Sequence, residues 1–139
     1  MDNRYLFRGK RSDIGEWVEG YPFQHLKSTY ILPLEASEST HTYFFDCAFD
    51  IDPSTLGQCT GLKDKRGKLI FEGDICRDSM DWAFKVIWDC GNVRFIGRHH
   101  KARGDTYICY VGREPAVEII GNIYDNPDLL EKTERRQSE

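Results

Sequence analysis

No C-x-x-C pair occurs in this sequence, and its five cysteines, Cys47, Cys59, Cys76, Cys90 and Cys109, are never closer than twelve residues. That spacing excludes a zinc ribbon and a dithiol redox centre. In a reducing compartment Cys76, Cys90 and Cys109, which stand in apolar strand-like runs, read as small buried hydrophobes. Motifs for nucleophilic or nucleotide chemistry are missing as well: there is no G-x-S-x-G, no P-loop, no G-x-G-x-x-G and no H-E-x-x-H. No apolar run approaches the ~20 residues that cross a bilayer. The opening MDNRYLFRGKRSD lacks the apolar centre of a signal peptide, so a cytoplasmic protein is expected. Neither sign of charge dominates: 19 basic against 23 acidic residues leave a formal net charge of −4. No global field therefore draws the chain to nucleic acid, although a local basic patch remains compatible with that balance.

What the chain does carry is aromatic bulk. Eight Phe, seven Tyr and three Trp in 139 residues supply large areas for burial and favour pleated surfaces. Short β-type runs recur from end to end: RYLFRG, EWVEGYPF, STYILPL and TYFFDC, then KLIF, GDICR, FKVIWD, NVRFIG, TYICYV and EIIGNIY. FKVIWD alternates with period two, Phe84, Val86 and Trp88 to one side and Lys85 and Ile87 to the other. Asp89-Cys90-Gly91-Asn92 predicts a tight hairpin into NVRFIG, with Gly and Asn taking positive φ. In EGDIC, Gly73 permits a sharp turn and Asp74 can bond neighbouring amides, a start that resembles SH3-like small barrels. ASESTH reads as a surface connection. DIDPST reads as the boundary between lobes 1–52 and 53–130 of a single domain covering 1–139, PSTLGQ as a short helix or turn, and 131–139 as a polar tail. The clearest helix signal is NPDLLEKTERR, with Asn126 as N-cap, Pro127 in the first turn and Arg135 and Arg136 at the far end. The expected fold is mainly β, in a β-rich α+β class: a small SH3-like barrel-type core with irregular β additions and a short C-terminal helix.

Three stretches are candidate sites. In KDKRGK, Asp64 and Gly67 supply turn chemistry, and the plain reading is a hairpin tip. The functional alternative has Lys63, Lys65, Arg66 and Lys68 contacting phosphates, with Asp64, Glu72 and Asp74 diluting their charge. In GRHHKARGD, Arg98, Lys101 and Arg103 outweigh Asp105 and form a second basic loop. His99 and His100, adjacent in a strand, point to opposite faces and do not chelate one metal. In DCAFDID, Asp46, Asp50 and Asp52 miss the spacing of a calcium loop and read as a capped turn. No catalytic, metal-binding or cofactor-binding residue is assigned. A Cys–His pair assembled by the fold is the enzymatic alternative, and it predicts one fast-reacting thiol.

The stretches LFRGKRSDIGEWVEGY, IDPSTLGQCTGLKDKRGKLIFEGDI and VEIIGNIYDNPDLL follow one another in that order. Together they resemble the YopX family, small proteins encoded mainly by bacteriophages and prophages, over nearly the whole chain. The central stretch is the most specific, with Thr55, Gln58, Thr60, Gly61, Leu62, Asp64, Gly67, Ile70, Glu72, Gly73 and Asp74 in the family's order. The last stretch adds Glu118, Ile120, Gly121, Asn122, Ile123 and Leu130. Cys59 stands where the family often has an aromatic residue, and Phe71 where tyrosine is common. The resemblance implies a mostly β fold with a compact barrel-like part, no established activity, cofactor or catalytic residue, a mobile-element origin and the host bacterial cytoplasm as compartment. Read as residues alone, Gly61, Gly67 and Gly73 mark turns or strand starts, Leu62, Ile70, Phe71 and Ile75 supply core, and Thr60, Asp64 and Asp74 close loops onto backbone.

The expected function is that of a non-enzymatic phage accessory protein without a cofactor, a macromolecular interaction module whose partner is a protein, a second copy of itself included, and not a membrane. An exposed cluster among Trp17, Tyr21, Phe44, Phe45, Trp82 and Trp88 would mark the interface. The alternatives are a nucleic-acid module using both basic loops, and an enzyme with a Cys/His site.

Overall fold

Period-two alternation and closely spaced turn residues produce strands almost throughout. The computed structural model describes residues 3–34, 47–99, 104–108 and 117–131. Among them are a 3-10 turn at Asn3–Tyr5 and ten strands. The chain divides into two compact units, Met1–Cys59 and Thr60–Glu139.

The N-terminal unit contains β1 (Phe7–Arg11), β2 (Trp17–His25), β3 (Ser28–Pro33) and most of β4 (Phe49–Lys63). Successive strands pair antiparallel, and β4 returns to pair with β1, so the four close into a ring. Inside it lie Ile31, Ile51 and Cys59, all buried. The closing seam changes register: Arg8 faces Gly57, but Lys10 faces Asp52. The surplus residues of β4 form a bulge at DIDPST. There the Thr55 hydroxyl donates to the Asp52 carbonyl (2.6 Å) and accepts the Lys10 N–H (2.9 Å), replacing the lost ladder bonds. The Asp52 carboxylate accepts both the hydroxyl and the N–H of Ser54, which holds its carboxyl below the usual carboxylate range.

The short helix or turn expected at PSTLGQ is therefore strand. The turn-forming residues of DIDPST serve a register shift inside a 15-residue strand. The boundary between units falls after Cys59, some residues beyond the expected one at 52/53.

A two-residue turn, Leu26-Lys27, joins β2 to β3. Leu26 has φ 56° and is 90% exposed, in a position where such turns favour glycine. Leu26→Gly is expected to raise stability by about 1 kcal/mol. A higher urea midpoint at unchanged slope is the readout.

The second unit pairs the end of β4 with β5 (Leu69–Phe71). Its main sheet is open and antiparallel, in the order β10-β6-β7-β8-β9, from β6 (Asp74–Arg77), β7 (Ala83–Asp89), β8 (Arg94–His99), β9 (Asp105–Thr106) and β10 (Glu118–Asn122). Ile70, Cys76, Phe84, Val86, Ile108 and Val117 form one buried cluster. Ile75, Ala83 and Leu130 form another, with Ile120, Ile123 and Leu129 packed against it. Each fully buried Ile or Phe contributes about 2 kcal/mol of transfer free energy, so these clusters dominate the unit's stability.

The expected β fold is thus present, with strand pairing that closes partway into a barrel. The closure lies in the N-terminal strands, whereas the SH3-like start EGDIC opens a strand of the open sheet. Gly73 there has φ 92°, and the Asp74 carboxylate accepts the Phe71 N–H at 2.8 Å. In the C-terminal segment only 129–131 is described as helical. Asn126 directs its side-chain oxygen to the Asn122 N–H (3.3 Å), while its carbonyl accepts the Leu129 N–H. ASESTH, most of TYFFDC, the second half of TYICYV, and the chain beyond 131 lie outside the described residues.

Candidate functional site

The KDKRGK tip between β4 and β5 is built around Asp64, which is 5% exposed. One carboxylate oxygen accepts the N–H groups of Arg66 and Lys68, both at 2.9 Å, and the other accepts the N–H of Ile119 at 3.1 Å. Burial alone would raise this carboxyl. The N–H groups of Lys68, Ile119 and Arg66, with the Arg66 guanidinium, outweigh that and hold it below the usual range. The Lys65 N–H donates to the Val117 carbonyl at 2.9 Å, so the tip is tied at two points to the chain around β10.

Side chains repeat the same connection. Glu118, on β10, lies 2.5 Å from Arg66, 3.3 Å from Lys65 and 3.2 Å from Arg77, and Arg77 also meets Asp81 at 3.2 Å. Hydrogen bonding from Arg77 first, and from Lys65 next, holds the Glu118 carboxyl below its ordinary value. Lys63 and Lys68 are exposed and have no ion pair among the described residues. The tip is thus a turn, as its plain reading held, and two of its four cations already have a carboxylate.

In the second basic loop, Arg98 binds Asp105 through two bonds, 2.9 and 3.1 Å, which hold the Asp105 carboxyl low. Lys101, Arg103 and His100 lie outside the described residues. His99 is buried, with Nδ1 3.1 Å from the Gly104 carbonyl and Nε2 3.7 Å from Asp78. No group of three metal-ligating side chains occurs among the described residues.

In the acidic stretch, Asp52 closes on Ser54 and Asp50 accepts the Ser12 hydroxyl at 2.8 Å, a capped arrangement. Asp46 is not among the described residues. Cys76 is buried as expected and Cys109 is not described. Cys90 is exposed, a correction: β7 ends at Asp89, which leaves Cys90 in the connecting loop.

That loop carries features that no sequence motif marks. Asp89 faces Arg94 across the hairpin, leaving Cys90 to Val93 as the connection. The Asp89 carboxylate organises it, accepting from the Asn92 side chain (2.9 Å) and the Gly91 N–H (3.2 Å). Positive φ falls on Val93 (55°), where Gly91 or Asn92 was expected to take it. Val93 is 72% exposed, and Trp88, packed edge-on to Phe95 at 4.9 Å, is 43% exposed. The alternation of FKVIWD runs from full burial at Phe84 and Val86 to solvent at Trp88. Trp88 stood among the aromatics singled out in the sequence. Its place next to a turn was the available signal, since a strand projecting beyond its sheet exposes its last core-facing residue. Glu118 was marked only as a position of the family resemblance, and Arg77 and Asp81 not at all, because their convergence needs β6 and β10 to pair.

In the N-terminal unit, Trp17 has Arg8 and Lys10 over its ring, at 4.8 and 5.5 Å. A hollow of about 590 Å³ lies beside Trp17 and Phe49. Its cation, Arg11, is stacked on Phe49 at 4.2 Å and bonded to Asp13 at 2.7 Å. Phe44 and Phe45 are outside the described residues.

The polar side chains of 55–75 therefore tie down backbone at loop ends: Thr55, Asp64 and Asp74 as above, and Thr60, whose hydroxyl donates to the Ile70 carbonyl and accepts the Leu62 N–H. They do not gather in a cleft. Fold and tip together define a small antiparallel β protein whose central and last strands are clasped by side-chain-to-backbone bonds. The family described as YopX protein matches residues 6–131, and the chain belongs to that family. None of the curated proteins compared with the chain matches it. No helix among the described residues is long and apolar enough to cross a membrane.

Proposed function

We propose that this chain is a non-enzymatic phage or prophage accessory protein that binds another protein, its own copy included, in the host bacterial cytoplasm. The observation that carries this reading is the tip of the β7–β8 hairpin. Trp88 and Val93 present apolar surface there, at 43% and 72% exposure, and Val93 sits in a backbone region that costs a β-branched residue about 1–2 kcal/mol. Strain and exposure together are a poor choice for folding and a good one for an anchor that enters a partner's pocket. The neighbouring charges, Asp89 with Arg94 and Arg98 with Asp105, are paired at home, which suits the rim of a protein contact better than a polyanion groove.

Val93→Asn separates binding from stability. Asparagine tolerates positive φ, so the variant is expected to be about 1 kcal/mol more stable while losing the apolar tip. Tagged wild type, V93N and W88A are crosslinked in bacteria carrying the prophage, and their partners identified by mass; light scattering over a range of concentrations reports self-association. The reading expects a protein or self-complex held by wild type and lost from both variants. An identical partner set for wild type and V93N, or no partner for wild type, defeats it.

A further inference from the structure

We propose that the basic tip at Lys63–Lys68 is a nucleic-acid contact surface held shut by Glu118, whose carboxylate occupies the place of a backbone phosphate. This inference does not depend on the β7–β8 tip being a protein contact. Three cations converge on this one carboxylate: Arg66 at 2.5 Å, Lys65 at 3.3 Å and Arg77 at 3.2 Å. A fork of guanidinium and ammonium donors around a carboxylate is equally suited to a phosphate.

The exposures are unequal in a useful way. The Glu118 side chain is 11% exposed, whereas Lys65 and Arg66 are 53% and 72% exposed. The anion is fixed and the two cations can turn away from it. When they do, Arg77 still holds Glu118 and no buried charge is abandoned. The backbone beneath is already set by the bonds from Asp64 to Arg66, Lys68 and Ile119, so little ordering is needed on binding.

Closed, the tip offers Lys63 and Lys68; open, it offers four cations within six residues. A chain of regularly spaced phosphates can engage all four, which a lone carboxylate or phosphate cannot. The formal net charge of −4 opposes any such contact, and release of the two masked charges is what offsets it.

The probe is a fluorescent DNA of ~20 nucleotides, single- and double-stranded, followed by anisotropy between about 20 and 200 mM salt. Wild type, Glu118→Gln and the triple variant E118Q/K65Q/R66Q are compared; glutamine keeps the shape and the bond to Arg77. E118Q is expected to bind roughly tenfold tighter than wild type at the lowest salt with a nearly unchanged salt slope, because both proteins engage four cations once the tip is open and E118Q only removes the cost of opening it. The triple variant should lose that gain and show a slope shallower by about 2, two phosphate contacts fewer at ~0.9 each. An E118Q protein that binds no tighter, or a triple variant that keeps the gain, overturns the proposal. Side-chain NMR of wild type covers the case in which E118Q melts below the assay temperature. Excess DNA at the lowest salt should shift the Lys65 Nζ and Arg66 Nε signals, and their failure to move is equally fatal.

Discussion

Gly20→Ala should cost at least about 3 kcal/mol, or leave the N-terminal ring unfolded at room temperature. Gly20 is buried on β2, opposite Pro33 of β3. A Cβ added there would fall within the van der Waals envelope of the Leu32 carbonyl oxygen, 2.8 Å from its carbon and 2.9 Å from Ile31 Cγ2. The obstacle is the backbone of the neighbouring strand, which cannot rotate aside as a side-chain end can. Relief requires β2 and β3 to separate, and the closed ring transmits that separation to the seam between β1 and β4. Nothing in the Gly20 backbone torsion asks for glycine, so the whole effect is steric. Gly91→Ala serves as the control, because its Cβ would meet only Asp89 Oδ1, at 3.5 Å. Urea unfolding with near-ultraviolet circular dichroism reads both. A Gly20→Ala protein within about 1 kcal/mol of wild type would show that β2 and β3 pack more loosely than described.

Asp64→Ala is expected to destabilise the second unit by about 3 kcal/mol. It deletes the acceptor of three backbone N–H groups, and leaving each without a partner costs about 1–3 kcal/mol, less than additively. Asp64→Asn should fall between, since its one oxygen can serve Arg66 and Lys68 while its amide faces the Ile119 N–H. The pH dependence has a definite sign. The Asp64 carboxyl is held below its ordinary value in the folded protein, so the folded state binds fewer protons there than the unfolded chain. Its contribution is complete above the unfolded value near 4 and is lost as pH falls through the lower folded value. The gap between wild type and D64N should therefore be full at neutral pH and shrink below about pH 4. A gap constant down to pH 2 would mean that Asp64 stabilises the tip by some route other than its charge.

Much of the strand pattern was legible because burial and turn formation are local. Phe84 and Val86 alternate inward as the period-two pattern says, Gly61, Gly67 and Gly73 take φ between 83° and 92°, and Asp74 bonds the amide of Phe71. DIDPST misled for an equally physical reason. Asp, Pro and Ser signal an interruption of regular pairing, and a bulge inside a continuous strand interrupts it as well as a boundary does. Cys90 misled because the apolar run ends at Trp88, two residues before it, and the strand at Asp89. The candidate sites were legible only as composition. That KDKRGK is basic is plain from the sequence. That Glu118, about fifty residues away, neutralises part of it follows from β10 lying beside β6, a pairing no local signal encodes. The unusual torsion at Val93 is hidden for the opposite reason: the sequence offers Gly91 and Asn92, and the organising carboxylate of Asp89 settles which residue bends.

A ring of four strands has no outermost member. Among the described residues each strand from β1 to β4 pairs on both sides over part of its length, so along those stretches the backbone donors and acceptors are already taken and cannot template a foreign segment. Fibril growth or exchange of a segment between molecules would first have to unzip a seam. The cheapest place to start is where β1 meets β4 across the bulge, and substitutions that loosen Thr55 would be the ones to turn a well-behaved protein into an aggregating one.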